Sequence, residues 1–270
     1  GIYRAEFPYL YRAPQGMSEA EAVDFYIERL ESVFETHSPA KYVAAIVFEP
    51  VQGEGGFIPA PLEWVKAVRK ICDDNGILLV TDEVQTGFAR SGRMFASEYY
   101  KDAGCEPDIM TFAKSVAGGL PLSGVVASKE VMDKVPGGTI GGTYCGNAVA
   151  CAAALKVLEV MERDDYPGKA LKIADVCMKR FGQWKDSFDV IGDVRGTGAM
   201  MGIEFVKDAK KTPNAEIVGK IVNTAVQKGL VLESAGTFGN VIRFLCPLCV
   251  TDEQLAKGLD LFEEAIRENV

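Results

Sequence analysis

Between residues 43 and 127 the chain alternates apolar runs of strand length with stretches of helical period, and this rhythm leaves few folds open. "YVAAIVFEPV" precedes the helical "LEWVKAVRKICDDNG", and "ILLVTDEV", "PDIMTFAK" and "LSGVVAS" follow. Apolar runs of this kind, alternating with helices, belong to a mostly parallel sheet covered by helices. Segment 62–75 is expected to be a crossover helix with Leu62, Val65, Val68, Ile71 and Cys72 on one face and Gly76 as its stop.

From "GNAVACAAALKVLEVMERDD" onward the character changes. A long alanine-rich helix leads into "PGKALKIADVCMKRFGQWKD" and then into a strand-rich block around "RGTGAMMGIEFV". The simplest division is a large α/β domain over 1–165 and a smaller α+β domain over 166–270 that closes with a helix from Thr251.

Composition removes several function classes. The chain of 270 residues is 48% hydrophobic, enough to bury a core, and its 29 basic against 38 acidic residues give a net charge of −9. With that charge and no basic block, nucleic acid and anionic membranes are not expected partners. No apolar stretch approaches the roughly 18 residues of a membrane helix, and the N-terminus lacks a signal-peptide pattern, so a soluble, cytoplasmic protein is expected. Seven scattered cysteines suggest reduced thiols. Only Cys246 and Cys249, in "CPLC", have metal-like spacing, and the single histidine, His37, is remote in sequence. No metal is expected, and His37 reads as a solvent-facing loop residue rather than a general base.

The chemistry concentrates at strand ends. "ILLVTDEVQTGFARSG" ends an apolar run on Asp82 and Glu83, and a carboxylate leaving water costs several kcal/mol unless it is turned outward, neutralised or facing a cation. In open α/β sheets ligands sit at the carboxyl ends of strands, which places Asp82 for a ligand cation. "TFAKSVAGGLPLSG" sets Lys114 just past another strand, before a small-residue loop. Taken alone that lysine could simply be solvated. Paired with Asp82 it suggests a Schiff base facing a pyridinium, the ring nitrogen of pyridoxal phosphate kept protonated by a carboxylate.

The motifs "EPVQGEGG", "TDEVQTGFARSG", "PDIMTFAKSVAGGLPLSG", "GGTYCGNAVACAAAL" and "NVIRFLCPL", in this order, resemble the class III pyridoxal-phosphate aminotransferases. Within that family, "AGTFGNVIRFLCPL" and "GGTYCGN" are similar to the versions in 4-aminobutyrate aminotransferases. The resemblance covers essentially the whole chain. It implies a fold type I transferase with pyridoxal 5'-phosphate as cofactor, Lys114 as the Schiff-base lysine, Asp82 as the pyridinium partner and Gln85 as a hydrogen-bonding partner near the ring hydroxyl. It also implies that Thr143 donates to the cofactor phosphate of a neighbouring subunit in a homodimer. Glu54 and Arg243 match the acid and the arginine that manage the substrate α-carboxylate. From the residues alone, the same pair could be a structural ion pair, because a lone arginine in an apolar strand needs a partner.

The activity so implied is transamination of 4-aminobutyrate or a similar ω-amino acid with 2-oxoglutarate. Acetylornithine, ornithine or other diamine aminotransferases are the enzymatic alternatives. In the resembled family roughly the first third of the chain precedes a start like this one and carries the phosphate-holding turn, the stacking aromatic and an arginine for the distal carboxylate. A fragment is therefore expected, and a catalytically incompetent piece retaining a dimerisation surface is a further alternative.

Overall fold

The computed structural model describes residues 1–139 and 141–270. Helix α1 (Glu19–Thr36) is followed by β1 (Ala45–Phe48), the hairpin strands β2 (Val51–Gln52) and β3 (Ile58–Pro59), and α2 (Leu62–Asn75). Next come β4 (Leu78–Asp82), β5 (Ile109–Phe112), β6 (Gly124–Ala127), the single turn α3 (Lys129–Met132) and α4 (Ala148–Arg163). The remainder is α5 (Tyr166–Ser187), β7 (Ile191–Thr197), β8 (Met200–Phe205), α6 (Ala215–Gln227), β9 (Glu233–Ala235), β10 (Val241–Phe244) and α7 (Asp252–Arg267). The chain forms two compact units, one of residues 1–50, 60–88 and 95–164, the other of 51–59, 89–94 and 165–270.

The first unit holds a four-stranded sheet of order β1-β4-β5-β6. β1, β4 and β5 run parallel, and β6 closes the edge antiparallel to β5. Helix α1 begins on a reciprocal cap, in which the Glu21 amide donates to Ser18 Oγ at 3.3 Å and the Ser18 amide donates to the Glu21 carboxylate at 2.8 Å. Helix α2 stops at Gly76, whose φ of +66° is cheap only without a side chain. Val65, Val68 and Cys72 of α2 are buried with Val23, Tyr26 and Leu30 of α1 against Phe48 and Leu79 of the sheet. The helix face is rotated slightly from the expected one: Leu62, in the first turn, is exposed, and Trp64 is buried in its place with its ring 5.4 Å from that of Phe48. The large apolar indole area outweighs the leucine in choosing the buried side. Asp108 fixes the strand pairing, its carboxylate accepting from the Leu79 amide at 2.7 Å and from the Arg69 guanidinium at 2.9 Å.

The second unit holds an antiparallel sheet of order β7-β8-β10-β9. Every residue of β8 is buried. Alternation explains it: Met201, Ile203 and Phe205 join the core with Phe181, Ile221 and Phe262 of the helices, while Met200 packs with Val51 and Phe57 of the hairpin segment. On that hairpin side lies a buried ionic cluster. Arg195 donates to Glu204 at 2.7 Å, to Asp193 at 2.9 Å and to the carbonyl of Gly56 at 2.7 Å, and the Glu204 side chain is fully buried. A Cβ on Gly56 would come within 3.3 Å of the Arg195 guanidinium, so the close approach of this turn requires glycine.

Two outcomes follow from this packing. Arg195→Ala strands the Glu204 carboxylate in the interior, and urea unfolding should show a loss of about 3–5 kcal/mol; a loss below about 1 kcal/mol would mean that the charge is solvated. The second concerns Glu263 of α7, which accepts from Trp184 Nε1 at 2.7 Å and from Arg180 and Arg267. Burial opposes its ionisation, but these donors outweigh burial and hold the carboxyl at about 2, below its ordinary 4.5. A depressed carboxyl stabilises the fold above its unfolded value, and the contribution is lost as pH falls from 4.5 towards 2. Glu263→Gln should therefore flatten the acid limb of the thermal-stability profile in that window, and an unchanged limb would contradict the assignment.

Candidate active site

The acidic pair at the end of β4 divides by strand alternation, because neighbouring residues of a strand point to opposite faces. Glu83 goes inward and is fully buried. Its carboxylate accepts from the Ser97 amide at 2.7 Å, the Ala96 amide at 3.0 Å and the Thr86 hydroxyl, so it anchors the loop that leads away from the strand. Asp82 lies on the other face, half-buried, with Oδ1 accepting from the Val84 amide at 3.0 Å. Its second oxygen takes no hydrogen bond among the described residues. Gln85, half-buried, lies in the turn closed by the Gly87 amide donating to the Glu83 carbonyl at 3.0 Å.

Asp82 is paired in register with Thr111 on the adjacent parallel strand, and Lys114 follows two residues after that strand ends. Both groups thus leave the same end of the same sheet. Lys114 opens a short 3-10 turn, Lys114–Ala117, with φ of +49°. A left-handed backbone at a residue with a Cβ costs on the order of 1–3 kcal/mol and concentrates at functional positions. The Lys114 amine is exposed and has neither a hydrogen bond nor an ion pair among the described residues. A half-buried carboxylate with an unused oxygen and a strained lysine with an unused amine suit a ligand that presents a cationic ring nitrogen and an aldehyde carbon.

Thr143 sits in the exposed loop before α4, and its hydroxyl bonds to no other candidate among the described residues. Asn147 in that loop is a helix cap, its Oδ1 accepting from the Val149 and Ala150 amides at 3.0 Å each.

In the second unit the structure joins Glu54 and Arg243 directly, Arg243 Nη1 donating to Glu54 Oε1 at 2.5 Å. Glu54 stands on the glycine turn whose Gly56 carbonyl Arg195 holds, and its own carbonyl accepts from the Gly236 amide at 2.9 Å. The Arg243 side chain is 15% exposed, whereas that of Glu54 is 73% exposed. Sequence reading missed a second carboxylate: Arg243 Nη2 donates to Glu233, its direct cross-strand neighbour. It also missed the buried Glu83 anchor. Glu83 carried a signal, since a second acid following Asp82 must face the opposite side of the strand. Glu233 carried none, because its nearness to Arg243 is set by strand register.

His37 is exposed at the end of α1, bonded through Nδ1 to the Thr36 hydroxyl at 2.7 Å. Cys246 is half-buried and Cys249 exposed, and no cluster of metal-binding side chains occurs among the described residues. Nor is any helix of the described residues long and apolar enough to cross a membrane.

With this geometry in view, the similarities to known proteins are specific. The family described as "Aminotransferase class-III" matches residues 1–266. The chain is 45% identical over 268 residues to the 5-aminovalerate aminotransferase DavT of Pseudomonas putida, covering 99% of this chain and 61% of that protein. It is 42% identical over 269 residues to the 4-aminobutyrate aminotransferase GabT of Escherichia coli, covering 99% and 61%. A leucine/methionine racemase of Thermococcus litoralis is 40% identical over 268 residues, covering 99% and 59%. Among solved structures, an amine transaminase from an uncultivated Pseudomonas species, in its PLP-bound internal aldimine form, superposes with a TM-score of 0.89 at 32% identity, covering 98% of this chain and 61% of that one. The chain thus spans about three fifths of the length of the curated relatives it matches. Its α/β fold with a mostly parallel sheet is the fold of the pyridoxal-phosphate transaminases, and the chain belongs to the class III aminotransferase family.

Proposed function

We propose that this chain carries the cofactor-holding lysine and carboxylate, and the substrate-carboxylate switch, of a pyridoxal-phosphate transaminase acting on ω-amino acids such as 4-aminobutyrate or 5-aminovalerate, with 2-oxoglutarate as acceptor. The observation that carries the reading is the strained Lys114, unpaired among the described residues, two residues beyond the strand that neighbours the one ending at Asp82. Family membership and the names of the 4-aminobutyrate and 5-aminovalerate relatives support it. Bound pyridoxal phosphate supplies an electron sink for the substrate carbon that loses a proton. Lys114 holds the cofactor through its amine and acts as the base that moves the proton at the amine-bearing carbon. Asp82 keeps the ring nitrogen protonated, and Gln85 assists beside the ring hydroxyl. Thr143 donates to the cofactor phosphate of a neighbouring subunit, so the working unit is a homodimer. The scattered cysteines of the sequence support a cytoplasmic setting.

The second unit deals with a requirement that the two substrates impose. Glutamate has a carboxylate beside its amine and 4-aminobutyrate has none there, so an arginine serving that position must be neutralised for half of the cycle. Glu54 does this and withdraws when the substrate carboxylate arrives. The exposure of Glu54 favours exchange, since a solvated carboxylate loses little when it departs, provided that another takes its place on the largely buried guanidinium.

Three measurements test the reading. Borohydride reduction of the pyridoxal-phosphate-loaded protein should add the cofactor mass to the peptide containing Lys114 and remove its visible absorbance; Lys114→Ala should show neither change. Asp82→Asn should retain the cofactor but slow the chemical step by about two orders of magnitude or more. Labelling of a different lysine would end the assignment. In single-turnover half-reactions, Glu54→Ala should impair 4-aminobutyrate by about tenfold or more relative to glutamate, and Arg243→Ala should reverse that preference. Equal losses in both halves for each variant would reduce the pair to a structural ion pair.

A further inference from the structure

We propose that Glu233 is a specificity-determining residue: it holds the Nη2 end of Arg243, weakens the grip on an incoming substrate carboxylate, and so biases the site towards donors that lack an α-carboxylate. This rests on the reading of Arg243 as the substrate-carboxylate partner and goes beyond the switch with Glu54.

The argument follows from the donors of one guanidinium. Arg243 Nη1 donates to Glu54 and Nη2 to Glu233, while Nε is buried and bonds to no acceptor among the described residues. The buried Nε flank is closed to a ligand, so a carboxylate must approach the end where the two Nη groups diverge, and both are taken by glutamates. These two partners differ in how they are mounted. Glu54 stands on a glycine turn between β2 and β3. Glu233 is the residue directly opposite Arg243 on the antiparallel pair β9 and β10, so its Cα stays beside the arginine whatever Glu54 does. When Glu54 leaves, an arriving carboxylate finds Nη1 free, Nη2 shared with Glu233, and a fixed like charge next to it. A two-point grip then sets the substrate carboxylate against the Glu233 charge on Nη2 unless Glu233 turns away, which its 62% exposed side chain permits at the cost of its bond to Nη2.

The test uses the holoenzyme carrying Glu233→Gln, which keeps the shape and removes the charge. The dissociation constant of glutarate, a non-reacting dicarboxylate, read by calorimetry, and the Michaelis constants for glutamate and 2-oxoglutarate should each fall about tenfold, equivalent to roughly 1.4 kcal/mol. The Michaelis constant for the ω-amino acid donor, 4-aminobutyrate, should move far less. Glu233→Asp should behave as the parent protein, because the charge is kept. Arg243→Ala serves as the reference. If it leaves glutarate and glutamate binding unchanged, the reading of Arg243 itself fails. If Arg243→Ala weakens both but Glu233→Gln leaves them as they were, or alters the Michaelis constants for glutamate and the ω-amino acid donor by the same factor, the role assigned to Glu233 is overturned and the carboxylate role of Arg243 stands.

Discussion

The parallel pairing of β4 with β5 is the constraint on which the placement of Asp82 and Lys114 depends. Parallel strands leave a sheet in the same direction, so residues just beyond their carboxyl ends share an edge although they lie far apart in sequence. Asp82 opposite Thr111 brings Lys114 to that edge. The pairing is itself held by polar side chains: Asp108 binds the Leu79 amide and Arg69 where β5 begins, and Glu83 anchors the loop that follows β4. Carboxylates that accept several donors are stiff, so Asp82 and Lys114 rest on a backbone that is fixed at both ends of the pairing.

Two arginines of the second unit differ in how deeply their partners are buried, and that separates a fixed contact from an exchangeable one. Arg195 meets Glu204, which is fully buried, and a backbone carbonyl that cannot leave. Removing Arg195 would strand the Glu204 charge in the interior, so that contact is permanent. Arg243 is nearly as buried, yet both of its carboxylates stand mostly in solvent. Those acids lose little when they depart, whereas the guanidinium needs some carboxylate at all times. Exchange of one carboxylate for another is the chemistry that such an arrangement favours. Arg195 also holds the Gly56 carbonyl of the turn that carries Glu54, so the permanent contact positions the exchangeable one.

Membership of the class III family limits the chemistry without naming the substrate. Relatives of comparable identity include aminotransferases for 4-aminobutyrate and 5-aminovalerate and a leucine/methionine racemase. A shared fold supports more than one outcome, so the choice lies with side chains of the site and not with the fold. On the proposed reading, Glu54, Arg243 and Glu233 bear on that choice more than Lys114 and Asp82 do.

Periodicity and punctuation along the sequence were sufficient for the alternating strands and helices, the extent of α2 and its stop at Gly76, and the opening of α7 at Thr251, because each depends on neighbours within a few residues. The ordered motifs were sufficient for the family and for the candidate residues. What the sequence left open was decided by contacts between distant segments. Trp64 rather than Leu62 is buried because of the indole's fit against Phe48, and Glu83 is an anchor because Ala96 and Ser97 fold back onto it. Glu233 meets Arg243 because an antiparallel register sets them opposite each other, and a shift of one residue would send the acid to the other face. Local propensity is written in the order of the residues, whereas the partner of a charge is chosen by register and packing, and only the folded chain has those.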